Sequence, residues 1–493
     1  MTLSFPIART PELSSESGLL LIDGAWVSGK EAFTVWNKAT GAPLCAVARA
    51  GRDQVDAAVA AARRSFAREP LDPYARYEVL TRAAALLHER RAHLIATIIA
   101  ETGFTVSDSV GEVDRCIQTF LLSGEEAKRI SGEMVPLSGA PGQAHRIGFT
   151  IRVPRGVVAA ITPFNSPLNT VAHKVAPALA AGNTVVLKPS SMTPLTAALL
   201  CQMLLDAGLP PSHINLVHGS GAEVGDSLTR NEDVAFYTFT GSTATGREIQ
   251  RSIGLRRSSL ELGSIACTIV CDDADLERAV QRCVNAGYRK AGQVCTSVQR
   301  LYVQRSIAAR FTEMLAERVK LSKAGDPYDY GTLVGPMIAE REARRAESWV
   351  NEAVASGARL AVGGGRDGAL MEPVLLTGAS RTMRVMSQEI FAPVISLVHF
   401  DSFDEALAEV DSTEYGLATG IFTQDIDRAL HACRRLQVGA VHINETSSSR
   451  VDLMPYGGVK ASGFGREGPR YAIEEMTEER LITISLSNSG AIQ

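Results

Sequence analysis

The feature that most constrains the fold is an alternation of short apolar runs with helical patterns between residues 157 and 253. Four apolar runs each lead into a helical segment: VVAAITPFN (157–165), TVVLKPS (184–190), INLVHG (214–219) and VAFYTFTGS (234–242). This alternation is the signature of a parallel sheet with crossover helices. Ligands bind such sheets in the crevice beyond the carboxyl ends of the strands. The sequence therefore predicts an α/β fold with a ligand site at that edge.

A second block of strand candidates follows from about residue 263. Its members are CTIV (267–270), RLYV (300–303), VISLVHF (394–400), LATGIFT (417–423) and AVHIN (440–444). A chain of 493 residues is too long for one hydrophobic core, so we expect two or three domains.

Outside these blocks, the pattern predicts helices over Asp53–Glu69, with Asp53 as the cap, and over Pro73–Glu101, with Gly103 as the stop. Residues 134–154 read as a hairpin that interrupts the first block, and ERLITISLSNS near the C-terminus reads as an exposed strand. Neither has an obvious partner within the chain. We therefore expect another subunit to complete their sheet.

Composition excludes several classes of function. The formal net charge of −4 gives no large electropositive field for nucleic acid or an anionic membrane. No apolar run approaches the roughly 20 residues of a membrane span, and the N-terminus lacks the pattern of a secretory signal. Eight cysteines without paired spacing predict free thiols in the cytoplasm, and no cluster has the spacing of a metal site.

Cys295, in KAGQVCTSVQR, is either a buried spectator or a nucleophile. Seven other cysteines compete for a catalytic role. Glu261 closes the apolar stretch SSLELG, where it is either half of a salt bridge or a general base of raised pKa. Asn165 ends AAITPFN, either as a turn residue or as a donor to a developing oxyanion.

TFTGSTATG places Gly241 and Gly246 around the start of a helix. Backbone N–H groups and the helix dipole make such an end suitable for a pyrophosphate, although a tight strand-to-helix turn explains the glycines equally well. Lys188 ends the neighbouring strand at the same edge. It is either a solvated strand tip or a contact for a nucleotide ribose.

Taken together, these pieces resemble the NAD(P)-dependent aldehyde dehydrogenase superfamily. The resemblance covers the chain from about Leu20 to the C-terminus and rests on TPFN, HKVAPALAAGNTVVLKPS, FTGSTATG, LELG, GQVCTS, SQEIFAPV and PYGGVKASGFGREG, in the family's order and spacing. It implies an aldehyde dehydrogenase fold with three parts. A Rossmann-type dinucleotide-binding domain spans 1–133 and 153–262, an α/β catalytic domain spans 263–462, and a small β oligomerisation flap is formed by 134–152 and 474–493.

The resemblance also assigns roles to residues. It implies that Cys295 is the nucleophile, Glu261 the general base and Asn165, with the Cys295 N–H, the oxyanion donor. Lys174 and Glu467 match an ion pair implicated in proton relay. The implied contacts of an NAD or NADP cofactor are Thr162, Pro163, Phe164, Lys188, Ser190, Ser191, Gly221, Gly225, Phe239, Thr240, Gly241, Ser242, Leu262, Gly263, Glu389 and Phe391.

In the implied reaction, a thiolate adds to the aldehyde carbon and the adduct loses hydride to the nicotinamide. Water activated by Glu261 then hydrolyses the thioester. We accordingly expect Cys295 to be the accessible and readily ionised thiol of the eight.

Three positions depart from the family pattern. Ser264 replaces a second glycine after Glu-Leu-Gly. Ser191 stands where many relatives carry a glutamate that holds the adenosine ribose of NAD, so we expect NADP to be accepted. Val294 precedes the nucleophile where relatives that act on phosphorylated aldehydes have arginine.

The substrate tail admits two interpretations. By resemblance, Arg115 and Arg450 flank the aldehyde tunnel and select an anionic far end, such as that of a semialdehyde, a sulfolactaldehyde or a phospho- or phosphono-aldehyde. Alternatively, Arg115 pairs with a carboxylate, Arg450 braces its loop, and the tunnel is a general apolar one. The remaining implied tunnel residues are Phe164, Val294, Thr296 and Tyr456.

Two rival functions stay open at this point, namely a non-catalytic homologue and acyl transfer to coenzyme A. The presence of Cys295, Glu261 and Asn165 argues against the first, and Glu261 against the second. The expected partners are a small aldehyde and further copies of the chain in a homodimer or homotetramer, with no nucleic acid, membrane or metal.

Overall fold

The computed structural model describes residues 7–486. Its strands are β1 Leu20–Ile22, β2 Ala25–Val27, β3 Glu31–Trp36, β4 Pro43–Arg49, β5 Met134–Val135, β6 Arg146–Pro154, β7 Val157–Ile161, β8 Thr184–Lys188, β9 Ile214–Leu216, β10 Val234–Thr240, β11 Arg257–Glu261, β12 Cys267–Val270, β13 Arg300–Gln304, β14 Arg359–Val362, β15 Arg366–Asp367, β16 Leu370–Met371, β17 Val374–Thr377, β18 Val394–Phe400, β19 Ala418–Phe422, β20 Ala440–Ile443, β21 Gly463–Phe464 and β22 Thr477–Ser485.

The α-helices are α1 Arg52–Arg68, α2 Pro73–Glu89, α3 Arg91–Thr102, α4 Val106–Ala127, α5 Asn169–Ala180, α6 Leu195–Asp206, α7 Asp226–Arg230, α8 Thr243–Ile253, α9 Leu276–Tyr288, α10 Arg305–Lys320, α11 Glu340–Ala355, α12 Arg384–Ser387, α13 Phe403–Asp411, α14 Ile426–Arg435 and α15 Pro469–Glu475.

The first sheet has eight strands in the order β2-β1-β9-β8-β7-β10-β11-β21, and its five inner strands from β9 to β11 are parallel. Alternate residues of β7 and β8 enter two different core clusters, one on each face of the sheet. Burial on both faces explains why these strands are continuously apolar. The chain order reverses between β7 and β10, and such a switch point opens a crevice for a ligand.

The second sheet has seven strands in the order β14-β17-β18-β13-β12-β19-β20 and is parallel except for β14. All five strand candidates of the second block are confirmed here, to within a residue or two at each end. One large cluster of buried side chains packs this sheet against its helices. The predicted α/β class is therefore confirmed, while the predicted domain boundaries stay a prediction.

The third sheet corrects one expectation. β22 pairs with β6 of the same chain over nine residue pairs, from Thr477–Pro154 to Ser485–Arg146, and β5 pairs with the other edge of β6. The two strands predicted to need another subunit for a partner therefore pair with each other. Residues 487–493 of the predicted flap, like residues 1–6 of the predicted first domain, lie outside the described residues.

Two helix predictions also need correction. The cap of α1 is Gly51 and not Asp53, because the Gly51 N–H donates to the side chain of Gln54 at the first turn. The predicted helix over 73–101 is divided at Arg90 into α2 and α3. Gly103 does end α3, with φ of 76°, a left-handed conformation that glycine adopts without strain.

No helix of the described residues is long and apolar enough to cross a membrane. The same residues contain no group of three or more histidine, cysteine or acidic side chains arranged to hold a metal ion.

Candidate active site

A cleft of about 830 Å³ lies at the carboxyl ends of the parallel strands of the first sheet. Cys295 and Asn165 line one part of it. Every residue that the resemblance implies as a cofactor contact lines it as well: Thr162, Pro163, Phe164, Lys188, Ser190, Ser191, Gly221, Gly225, Phe239, Thr240, Gly241, Ser242, Leu262, Gly263, Glu389 and Phe391. The sequence analysis missed further lining residues, among them Glu248, Glu342 and Arg345.

The shape and charge of this cleft fit a dinucleotide. Ser242 caps the start of α8, where its Oγ accepts from the N–H of Thr245 at 3.2 Å, and the other N–H groups of that turn suit a phosphate. Lys188 is buried, and no carboxylate of residues 7–486 forms an ion pair with it. Burial lowers the pKa of Lys188 to about 8. A buried cation without a carboxylate partner is suited to anionic or hydroxyl groups of a nucleotide.

Phe391 and Glu389 line the cleft from the segment between α12 and β18, which leads into the second sheet. Phe391 meets Phe164 edge to face, with ring centroids 5.9 Å apart. Glu389 accepts from the N–H of Ser264 at 2.9 Å, and burial raises the pKa of Glu389 to about 7. Ser264, which departs from the family pattern, thus still supports the cleft through its backbone. Gln299 fixes this segment by bonding the backbone of Gln388 at 2.6 Å and of Ile390 at 3.1 Å.

Cys295 follows a tight 3₁₀ turn over Arg289–Gly292, in which Lys290 and Ala291 both have φ of 52°. Its Sγ lies 3.0 Å from the hydroxyl of Tyr456. Burial raises the pKa of Cys295 to about 11, and the neighbouring Glu261 acts in the same direction, although the Tyr456 contact opposes both. The surroundings of the thiol therefore oppose its ionisation.

This result corrects the expectation of a readily ionised and uniquely accessible thiol. Cys295 is half-buried, whereas Cys433 is exposed on the surface. Of the other cysteines, five are fully buried and Cys45 is half-buried. Activation of Cys295 must come from the groups around it and from what binds in the cleft.

Asn165 lies in the segment after β7 and lines the same cleft as Cys295. Its Nδ2 donates to the carbonyl of Gln293 at 2.8 Å, which fixes the plane of the amide. A side-chain amide carries two N–H groups, so the second remains for an oxygen in the cleft. The backbone carbonyl of Asn165 accepts from Nζ of Lys290 at 3.0 Å. This bond connects the segment that carries Asn165 to the turn that precedes Cys295.

A buried ion pair that the sequence analysis missed supports both residues. Lys290 Nζ lies 2.7 Å from Oε2 of Glu112 on α4, and both side chains are buried. Glu112 Oε1 accepts from Ser166 Oγ at 2.6 Å and from the N–H of Asn169 at 2.9 Å. Burial alone would raise the pKa of Glu112, but Lys290 and these donors hold it below its usual value.

Glu261 ends β11 and is buried, and neither of its carboxylate oxygens has a hydrogen-bond partner among residues 7–486. Burial raises its pKa well above the usual range, and the negative charge of Glu467 raises it further. Lys174 lies 2.9 Å from Glu467 Oε1, and Arg450 lies 2.8 Å from Oε2. Although burial opposes ionisation, Lys174 and Arg450 hold the pKa of Glu467 well below its usual value.

The two arginines expected to flank the substrate are both paired with carboxylates. Arg115 makes a bidentate contact with Asp452, with Nη2–Oδ1 at 2.7 Å and Nε–Oδ2 at 3.2 Å. Arg450 pairs with Glu467 and stacks on Tyr456, with its guanidinium carbon 3.7 Å from the ring centroid. This pairing favours the structural alternative for both arginines.

Arg289 is a third arginine at this place, and the sequence analysis missed it. Its Nη2 donates to Ser448 Oγ at 2.8 Å, and that oxygen lies 3.2 Å from Oγ1 of Thr296, next to the nucleophile. Arg289 forms no ion pair with a carboxylate of the described residues. It lines two surface grooves, one shared with Arg450 and the other with Arg115. Its position six residues before Cys295 was the sequence feature that could have identified it as a candidate site residue.

Comparisons with known proteins agree with this geometry. A sequence profile of the Aldehyde dehydrogenase family matches residues 26–482. The chain is 47% identical over 467 residues to a 3-sulfolactaldehyde dehydrogenase of Priestia aryabhattai, a match covering 95% of this chain and 98% of the relative.

Two solved structures share its fold closely. Aldehyde dehydrogenase 21 from Physcomitrella patens, in complex with the reaction product succinate, is 36% identical with a TM-score of 0.93, and the match covers 96% of this chain and 98% of that one. NADP-dependent glyceraldehyde-3-phosphate dehydrogenase from Bacillus halodurans, complexed with NADP, is 33% identical with a TM-score of 0.93, and the match covers 95% and 99%. The chain therefore belongs to the aldehyde dehydrogenase family and is an NAD(P)-dependent aldehyde dehydrogenase.

Proposed function

We propose that this enzyme oxidises a small aldehyde whose far end is anionic to the corresponding carboxylic acid. In this proposal Cys295 is the nucleophile, Glu261 the general base and Asn165 the oxyanion donor. The observation that carries the choice of substrate is the unpaired guanidinium of Arg289 beside the nucleophile. An apolar tunnel for neutral aldehydes is the alternative that the experiments below distinguish.

Arg289 supports an anionic substrate because the protein compensates its charge only in part. Burial lowers its pKa from the usual value, which measures the cost of desolvating the guanidinium, and Asp108 compensates only in part. A half-buried charge of this kind is stabilised when an anion binds against it. Arginine also presents paired N–H groups that match a carboxylate or a sulfonate.

The residue before the nucleophile narrows the class of substrate further. Val294 provides no second cation beside the nucleophile, so a singly charged carboxylate or sulfonate fits better than a doubly charged phosphate. The names of the similar proteins agree with this class, because one acts on sulfolactaldehyde and another was solved with succinate. We infer a semialdehyde or a sulfonated aldehyde as the substrate class.

The residues around Cys295 account for the first half of the reaction. The sulfur bonds to the aldehyde carbon as the thiol releases its proton to solvent, and the second N–H of Asn165 with the N–H of Cys295 stabilises the oxyanion that forms. The hydroxyl of Tyr456, 3.0 Å from Sγ, favours the thiolate. When bound, NAD(P) supplies the nicotinamide carbon that accepts hydride, which converts the Cys295 adduct into a thioester.

Glu261 accounts for the second half. A carboxylate of raised pKa is a stronger base, so it takes a proton from water as the water oxygen attacks the thioester carbon. The carbon–sulfur bond breaks, the acid leaves, and the thiol is restored with a proton. Glu467, kept ionised by Lys174 and Arg450, raises the proton affinity of Glu261 through charge repulsion.

For the cofactor, we propose that NADP is accepted, with Lys188 and Ser191 near the 2′-phosphate. Ser191 carries no charge that would repel a phosphate, and its Oγ donates to the carbonyl of Gly219 at 2.8 Å. Lys188 is the cation available at this end of the cleft. The same residues are compatible with NAD, so use of both cofactors fits the arrangement.

We also propose a homo-oligomer, a dimer or a tetramer, built on the third sheet. Cross-strand pairing places apolar side chains on one face, and all of them are exposed or half-buried: Ile147, Phe149, Ile151, Ile482 and Ile484. An exposed apolar face of this kind marks an association surface. The division into dinucleotide-binding, catalytic and bridging parts, and a cytoplasmic location, remain predictions from the sequence.

The division of labour between Cys295 and Glu261 is tested by transient kinetics with succinate semialdehyde. Cys295→Ser should abolish formation of reduced cofactor and leave cofactor binding intact. Glu261→Gln should slow thioester hydrolysis, so a burst approaching one equivalent of reduced cofactor should precede a slow steady state. Wild-type turnover by Cys295→Ser would contradict the mechanism, and so would a complete absence of the burst in an otherwise folded Glu261→Gln.

The cofactor proposal is tested with Ser191→Glu. A carboxylate at this position should hydrogen-bond the ribose of NAD and repel the phosphate of NADP. The ratio of kcat/KM with NADP to kcat/KM with NAD should therefore fall relative to the wild type, with Ser191→Ala as the control for loss of the hydroxyl. A wild-type enzyme that rejects NADP would refute the assignment of Ser191.

The substrate proposal is tested with Arg289→Gln and, as a matched control, Arg115→Gln. A charge-assisted hydrogen bond contributes about 1.5–3 kcal/mol, so Arg289→Gln should lower kcat/KM for succinate semialdehyde about 10- to 150-fold and change that for butanal little. Arg115→Gln removes the bidentate contact to Asp452, which keeps His173 and Asn169 as partners, and should affect both aldehydes alike. Equal losses on the two aldehydes in Arg289→Gln would show that this arginine is structural.

A further inference from the structure

A groove of about 580 Å³ opens beside the proposed substrate site, between α9 and the segment 445–450. It shares no lining residue with the cofactor cleft. Arg278, Arg282, Asn285 and Arg289 line it at steps of four, three and four residues, which places them along one face of α9 and its extension. This stripe runs from two half-exposed arginines, Arg278 and Arg282, to the proposed contact for the substrate tail.

The groove carries a surplus of positive charge. Glu445 is the carboxylate among its lining residues, and a single oxygen of it faces both Arg282, at 3.2 Å, and Arg278, at 3.5 Å. One carboxylate therefore has to neutralise two guanidinium groups. Arg450 is neutralised by Glu467, whereas Arg289 has no such partner among the described residues. The lining therefore keeps about one positive charge from Arg278 and Arg282, together with the part of the Arg289 charge that Asp108 does not compensate.

A second groove also reaches Arg289, but more of its positive charge is compensated. In that groove Arg115 is paired with Asp452 and Lys290 with Glu112, and Asp108 lies near Arg289. The chain as a whole has a formal net charge of −4, so its average field repels anions. The groove along α9 is thus a locally positive surface on a chain of negative net charge. It is one of the two grooves that reach Arg289.

We propose that this groove is the vestibule through which the anionic aldehyde is captured and guided to Arg289. The inference rests on the proposed function, since it presumes an anionic substrate. A cleft lined by one sign of charge focuses the field and raises the local concentration of the opposite ion. Arg278 and Arg282 raise the rate at which the aldehyde is captured, whereas Arg289 stabilises the bound aldehyde. The outer pair therefore affects kcat/KM and leaves kcat unchanged.

The test uses Arg278→Gln/Arg282→Gln in the full-length enzyme, with succinate semialdehyde and butanal as substrates. At low ionic strength kcat/KM for succinate semialdehyde should fall about 10-fold at constant kcat, and kcat/KM for butanal should not change. The loss should shrink as salt is added, because the screening length falls from about 10 Å at 0.1 M to about 3 Å at 1 M. Glu445→Gln removes the one opposing charge and should raise kcat/KM for succinate semialdehyde at low salt.

The control is Arg52→Gln/Arg68→Gln on α1, which removes the same net charge from exposed positions that line neither groove. It should leave the preference for succinate semialdehyde unchanged. Wild-type kinetics in the Arg278/Arg282 double variant, equal losses on both aldehydes, or a decrease in Glu445→Gln would overturn the vestibule. If the vestibule alone fails, Arg289→Gln still loses the anionic aldehyde selectively; if the proposed function fails, the wild type itself shows no preference for it.

Discussion

The buried ion pair between Glu112 and Lys290 is the contact on which the geometry of the active site depends. It joins α4, the segment after Asn165 and the turn before Cys295, which come from distant parts of the chain. Removing one partner of such a pair costs about 3–5 kcal/mol, because the other is left buried and uncompensated. Its contribution here is placement, since Lys290 also donates to the backbone carbonyl of Asn165.

A second electrostatic arrangement gives two nearby carboxyl groups different proton affinities. Glu467 accepts from Lys174 and Arg450 and stays ionised, whereas Glu261 has no hydrogen-bond partner among the described residues and keeps a raised pKa. Burial with a charged neighbour thus makes Glu261 a base, while burial with cations makes Glu467 a fixed charge. Cys295, with a pKa of about 11, depends on these surroundings for activation.

Much of the fold and of the cleft could be predicted because these features follow from local patterns. Apolar runs identify the parallel strands, and the residues that follow each run must meet at one edge of the sheet, where the implied cofactor contacts all line the cleft. Long-range pairing has no local signal. Asp452 satisfies Arg115 from 337 positions away, and β22 finds β6 in the same chain. The sequence analysis missed Arg289 because its proposed role depends on the lack of an ion-pair partner among the described residues, which no local pattern shows.

In the proposed mechanism, Arg289, which has no ion-pair partner among the described residues, selects an anionic aldehyde. The most direct measurement is the ratio of kcat/KM for succinate semialdehyde to that for butanal, which has the same chain length, in the wild-type enzyme at low and at high salt. The account predicts a ratio of about 10 or more that decreases as salt is added. A ratio of one or below at low salt would contradict it and would identify the tunnel as a general apolar one.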